Sequence, residues 1–226
     1  DHPDFEPGSF TSIAGPSGCG KSTLLSLIAG LIAPEKGCIR FYKSDAMPAA
    51  ARIGYMLQHD TLLEWRTIYK NILLGLEVTH QCTEQKKRLA ADMMHDYGLA
   101  SFKNAHPSEL SGGMRQRAAL IRTLVLEPDI LLLDEPFSAL DYQTRLEVSD
   151  DIFRIIKEQE KTALLVTHDI SEAIAMGEQV IVLSSRPASI KNVFDIHLSV
   201  DKRTPFSSRT APEFSAYFHQ IWKELS

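Results

Sequence analysis

Three stretches of the chain carry residues whose types and spacing suit chemistry on phosphate. GPSGCGKST, residues 15–23, fits G-x-x-x-x-G-K-[ST], with an apolar run before it and a helical pattern after it. Gly15, Gly18 and Gly20 let backbone N–H groups converge on phosphate oxygens, with Pro16, Ser17 and Cys19 completing the loop, and the helix start adds its partial positive charge. Lys21 puts a cation on the β- and γ-phosphates, the Ser22 hydroxyl is suited to Mg²⁺, and Thr23 sits at the α-phosphate end. The loop predicts a bound nucleotide.

ILLLDE, residues 130–135, is the companion piece. Four apolar residues bury a strand, and Asp134 emerges at its C-terminal end, where ligands gather in parallel sheets, poised to hold Mg²⁺. Glu135, one residue on, is placed to orient and polarise an attacking water. His168 ends the strand-like run TALLVTH, and Gln58 follows RIGYML with an amide suited to Mg²⁺ or to that water. A lone strand-end histidine is more often structural than catalytic, but here the sheet order would carry His168 toward the γ-phosphate, which reverses that preference. LSGGMRQR, residues 110–117, poses a different problem: small residues and a hydroxyl at a helix start suit an anion, yet the chain already has its phosphate loop.

The elements that must position these residues alternate. SFTSIAG (9–15), CIRFY (38–42) and RIGYML (52–57) read as strands, and the helix after the phosphate loop presents Leu24, Leu25, Leu27, Ile28 and Leu31. From Thr67 the spacing turns helical: TIYKNILLGL, then EQKKRLAADMMHDY, stopped by Gly98. Between Asp60 and Leu126 the pattern predicts no strand. After Pro128 the alternation resumes with ILLLD as strand, Gln143 to Glu160 as helix, TALLVTH as strand, SEAIAM as helix, and QVIVLSS and SIKNVFDI as strands. Near-continuous apolar strands separated by helices imply an α/β fold whose mostly parallel sheet is covered on both faces. EFSAYFHQIWKEL predicts an amphipathic C-terminal helix whose aromatic stripe, Phe214, Tyr217, Phe218, Ile221 and Trp222, is read as packing.

The 226 residues suffice for one globular unit, and a net charge of −5 argues against a nucleic-acid partner. Three cysteines at no metal-ligand spacing read as reduced thiols. The longest apolar run, LLSLIAGLIA, is about half the ~20 residues a bilayer span needs, so any membrane crossing falls to another subunit.

PSGCGKST, Gln58, LSGGMRQR, ILLLDE, SALD (138–141) and His168, in that order and spacing, resemble the ATP-binding subunit of ABC transporters, over nearly the whole chain. The resemblance implies a RecA-like P-loop core, residues 1–60 and 116–226, with an inserted helical subdomain at 61–115. It implies ATP and Mg²⁺ as cofactors, Ser22, Gln58 and Asp134 around the metal, and Lys21, Gln58, Glu135 and His168 around the reacting phosphate. It also answers the question of the second anion site. In that family two subunits dock head to tail, so Ser111, Gly112 and Gly113 would grip the γ-phosphate held by Lys21 of the other copy, with Asp141 crossing the interface. Arg115 and Arg117 are then structural partners within the helical subdomain.

HDTLLEWRTIYKNILLGLE further resembles the importer branch for nitrate, sulfonates, taurine and related small anions, where Leu-Leu-Pro-Trp-Arg-Thr is usual and Glu64 here replaces the proline. Leu62, Leu63 and Trp65 are expected to be exposed on a lone subunit as a docking site for a membrane-subunit helix, with core packing the competing reading. The implied partners are a second ATP-binding subunit, transmembrane permease subunits and a solute-binding protein, at the cytoplasmic face of the membrane. Family members carry an adenine-stacking aromatic on a segment before the first strand. Only DHPDFEPG stands there, and Phe5 is too near the loop to take that place, so a shortened N-terminus is expected. Two other classes compete: a soluble ABC-type ATPase of ribosomes or DNA, which usually carries paired cassettes or a coiled-coil insertion, and a silent nucleotide-binding regulatory module, against which Glu135 and His168 argue.

Overall fold

Parallel strands buried on both faces are built here from short β-branched and leucine-rich runs. In the computed structural model, which describes residues 6–41 and 51–226, these form a sheet of six strands in the order β2-β3-β4-β1-β5-β6 among the described residues. They are β1 (Phe10–Ala14), β2 (Ile53–Met56), β3 (Ile130–Asp134), β4 (Thr162–Thr167), β5 (Gln179–Leu183) and β6 (Ile190–Asp195). Only β6 runs antiparallel, along the free edge of β5. Alternation divides the central strands: Leu131, Leu133, Ala163 and Leu165 face one core, Leu132, Leu164 and Val166 the other.

The first face is covered by α2 (Ile68–Val78), α3 (Glu84–Asp96), α4 (Gly112–Leu124) and α5 (Tyr142–Glu158), the second by α1 (Lys21–Ile28). The sequence places a stop or a cap at most of these ends. Thr67, Thr83, Ser111 and Asp141 each accept a hydrogen bond from the third backbone N–H of the helix they precede. Gly98, at φ 73°, ends the turn after α3 in the left-handed region that favours glycine. Close packing also dictates small residues: a Cβ on Gly54 of β2 would lie 2.5 Å from the Thr123 methyl of α4. Between Met56 and Ile130 every regular element is helical.

Two expectations need correction. CIRFY is no strand over its described residues 38–41, because Ile39 and its neighbours are exposed and make no ladder there; β propensity without a partner strand leaves the chain irregular. Tyr42 and Phe5 lie outside the described residues. Leu31 is not on the helix: α1 closes at Ile28, Gly30 turns the chain at φ 71°, and Leu31 is exposed.

The aromatic C-terminal run forms α8 (Phe214–Leu225), after the short α7 (Pro205–Ser208). Ile221 is fully buried against α6 (Ile170–Met176) and β5, and the Tyr217 hydroxyl donates to Asp195 O at 3.0 Å, so the packing reading holds for the stripe except Trp222, which is exposed. Among the described residues no helix is long and apolar enough to cross a membrane.

Candidate functional site

Register brings the chemistry together. Ala14 pairs with Thr167, Asp134 with Val166 and Met56 with Leu133, all in parallel, so β1, β4, β3 and β2 end side by side at one edge of the sheet. From those ends emerge the 15–23 loop, His168, Asp134 with Glu135, and Gln58. Carboxyl ends of adjacent parallel strands are where open α/β sheets bind ligands.

The loop turns through Gly18 at φ 77° and Gly20 at φ 114°, and a Cβ at either would meet nothing within 4 Å, so their amides border open space at the head of α1. Lys21 is 5% exposed, and its ammonium donates to Gly15 O at 2.8 Å and Pro16 O at 3.1 Å. It forms no ion pair among the described residues, which leaves a buried cation complementary to an anion. The Ser22 hydroxyl donates to Asp134 Oδ1 at 3.0 Å, and the Tyr55 hydroxyl donates to Oδ2 at 3.2 Å. Burial pushes the Asp134 carboxyl up, against the two hydroxyls and Lys21, which pull it down, while Glu135 adds to the rise. Tyr55 escaped the sequence reading; only its place three residues before Gln58, on a strand next to β3, could have singled it out.

Glu135 has φ 45°, left-handed geometry that a non-glycine residue holds only when its surroundings impose it. They do: its N–H donates to Val166 O at 2.9 Å, and its carbonyl accepts from Ser138 N at 3.2 Å and Ser138 Oγ at 3.0 Å. Its Oε2 lies 3.0 Å from His168 Nδ1 and 3.4 Å from Gln58 Nε2. An ionised carboxylate only accepts, so Nδ1 carries the proton in this pair. Gln58 also reaches Ser138 Oγ at 3.4 Å and makes no hydrogen bond to Ser22 or Asp134 among the described residues.

Behind His168 sits a network the sequence did not announce. The Thr167 hydroxyl donates to the buried Glu172 at 2.7 Å and accepts from Asp169 N–H. Asp169 caps α6 through Ser171 N and Glu172 N, and its other oxygen meets Arg145 at 3.5 Å. Arg145 also donates to Leu140 O at 3.1 Å, joining the SALD segment to the His168 turn. Burial pushes the Glu172 carboxyl up, with Thr167, Arg145 and Arg209 acting the other way. A carboxyl raised by folding contributes stability while protonated and loses it as pH climbs from the unfolded value through the folded one. Glu172→Gln, which keeps an oxygen for Thr167, is therefore expected to raise the melting temperature at about pH 8 and change it little at about pH 4, in thermal scans at both values.

Ser111 stands apart from this cluster. It is exposed at the head of α4, accepts from Met114 N at 3.3 Å, and makes no hydrogen bond to the 15–23 loop among the described residues. Gly112 and Gly113 have a packing reason as well: added Cβ atoms would lie 2.9 Å from Leu140 Cδ2 and 2.7 Å from Val148 Cγ2. Arg115 donates to Asp60 Oδ2 at 3.0 Å. Arg117, just past the 61–115 stretch, donates to Tyr97 O within it at 3.4 Å and meets Asp151 of α5 at 3.6 Å. Of the three apolar residues expected to be exposed, Leu62 is buried in the core, Leu63 is half-buried, and Trp65 is 77% exposed.

The ABC transporter family matches residues 2–138, more than half of the chain. The chain belongs to that family. An uncharacterized ABC transporter ATP-binding protein of Bacillus subtilis is 49% identical over 225 residues, covering 100% of this chain and 86% of the relative. The nitrate import ATP-binding protein of Synechocystis is 40% identical over 223 residues, 96% of this chain and 83% of its own. A bacterial ABC transporter cassette solved as a dimer superposes with a TM-score of 0.70 at 30% identity, covering 86% of this chain and 88% of that one. This ABC chain is thus an ATP-binding, ATP-hydrolysing subunit of a transporter, and its mostly parallel α/β core with a P-loop is the expected fold.

Proposed function

We propose that the chain powers an importer of a small anion such as nitrate, a sulfonate or taurine, working as one half of a head-to-tail pair. The observation that carries the two-chain reading is the exposed helix start at Ser111, which suits an anion and makes no hydrogen bond to the 15–23 loop of its own chain among the described residues. The importer branch is supported by the Leu-Leu-Glu-Trp-Arg-Thr run and the nitrate-import relative. We take 61–115 as the helical unit that carries the docking surface. Trp65, exposed beside the Gln58 loop, suits a helix of a permease subunit, with a solute-binding protein on the far side of the membrane.

In this reading water attacks the γ-phosphorus of ATP as its bond to the β,γ-bridging oxygen breaks, so that ADP leaves and inorganic phosphate forms. Glu135 orients the water, held by His168 and Gln58; Lys21 turns from its loop carbonyls to the β- and γ-oxygens. The residues present fit Mg²⁺: Ser22 Oγ and Asp134 Oδ1 are 3.0 Å apart, and adjacent ligands of an octahedral ion at ~2.1 Å are about 3.0 Å apart. When bound, that ion offsets negative charge on the transferring phosphoryl group. Gln58, whose amide nitrogen reaches Glu135 and Ser138, would join them only by turning its amide oxygen toward the ion.

The test is purification of the chain from native membranes and ATPase measurement of the recovered complex in liposomes. Co-purification with transmembrane subunits, and turnover raised by nitrate, taurine or an alkanesulfonate, is expected. Recovery with ribosomes, or a complex indifferent to all three anions, overturns the importer reading.

A further inference from the structure

The loop that follows Gln58 is tied to α4 more firmly than a surface connection requires. Arg122 donates to Asp60 O at 2.7 Å, Thr61 O at 2.9 Å and Thr61 Oγ1 at 3.0 Å. Arg115, one turn from the head of the same helix, donates to Asp60 Oδ2 at 3.0 Å and to Leu110 O at 3.0 Å. The other oxygen of Asp60 accepts from Leu62 N at 3.2 Å, and Thr61 is held at φ 48°. Two guanidinium groups, each a planar fork of fixed donors, thus hold two consecutive loop residues against one helix. Beyond them the fully buried Asn71 of α2 bonds Leu63 through N and O, and also Arg66 O and Thr67 O.

We infer that Arg115 and Arg122 are positioning residues, which lock the Gln58 loop to the helix headed by Ser111 so that Gln58 moves with that helix. Asp60 is two residues from Gln58, so at most ~7 Å of chain separates their backbones and leaves little slack. Gln58 lies 3.4 Å from Glu135, at the outer limit of a hydrogen bond, where a shift of a few tenths of an ångström makes or breaks the contact. A helix that engages a phosphate at Ser111 therefore sets Gln58 against Glu135 in its own chain. Resting on the two-chain reading, this makes each phosphate site report to the other.

A double-mutant cycle on ATP hydrolysis tests it, with Arg122→Met, Gln58→Ala and the pair. If Arg122 acts through Gln58, Arg122→Met lowers kcat by roughly 10- to 100-fold with KM for ATP unchanged, and adds nothing in the Gln58→Ala background. Arg122→Lys, which retains a donor for the Asp60 carbonyl, recovers part of the rate. Multiplying effects in the pair, or a kcat untouched by Arg122→Met, overturns the proposal. Asp60→Asn, severing the Arg115 ion pair while keeping the backbone acceptors, provides the same cycle should Arg122→Met fold poorly. The molar mass of Glu135→Gln with and without ATP is measured alongside: a monomer in both states sinks the two-chain reading, whereas a dimer with multiplicative kinetics sinks only the arginine lock.

Discussion

Glu135→Gln is expected to bind ATP as the parent does and to lose kcat by about 10²- to 10⁴-fold, the range associated with removing a positioned general base. Glu135 sits at φ 45°, and the bonds that impose this conformation are made by its N–H to Val166 and its carbonyl to Ser138, neither of which the substitution touches. The amide is isosteric, and its oxygen still accepts from His168 Nδ1–H, so the site keeps its shape. What disappears is the negative charge beside the place a water must occupy. Lys21 and the loop glycines, to which the proposed mechanism gives the phosphate contacts, are unchanged, and nucleotide affinity is expected to stay within a few-fold. Phosphate release in steady state, set beside equilibrium nucleotide binding, separates the two quantities. A variant that turns over at the parental rate would remove Glu135 from the reaction and leave it a conformational hinge.

How far these roles can be read from sequence depends on whether the chemistry is local. The phosphate loop is legible because convergent amides demand glycines at fixed offsets, and here Gly18 and Gly20 do adopt positive φ. Asp134, Glu135 and His168 are legible for a second reason: apolar strands announce where a polar residue must surface, and parallel pairing aligns those ends. The partners that hold them are not local. Tyr55 reaches Asp134 from 79 residues away and Arg122 reaches Asp60 across 62, and nothing in the spacing around either marks the contact. Failures also have physical sources. CIRFY has strand-like composition, yet over 38–41 it makes no ladder, and composition cannot supply a partner strand. LLEW mixes buried and exposed residues because the loop is pinned by Arg122 and Asn71, which turn Leu62 into the core and leave Trp65 outside. The glycines of LSGGMRQR serve two ends at once, a phosphate-suited helix start and close packing on Leu140 and α5, so neither use excludes the other.

Ser111 separates those two uses, because its side chain faces solvent while the glycines face the protein. In the Glu135→Gln background, ATP with Mg²⁺ is expected to double the mass of the 25.3 kDa chain, and Ser111→Arg is expected to keep it monomeric. Two effects combine. A long cation at the head of α4 occupies the volume a partner's phosphate must enter, and it opposes the positive end of the helix dipole. The substitution also removes the cap on Met114 N, and lost caps cost ~0.5–2 kcal/mol, so folding must be controlled for. Ser111→Gly serves, since glycine at a cap costs only a few tenths of a kcal/mol. It leaves the backbone amides open to an anion, so it should still dimerise, at a higher ATP concentration than the parent. ATP binding to the monomer should be equal in all three chains, because the 15–23 loop makes no hydrogen bond to Ser111. Dimers of Ser111→Arg at the parental ATP concentration would return LSGGMRQR to a purely structural role, that of letting α4 lie close on α5.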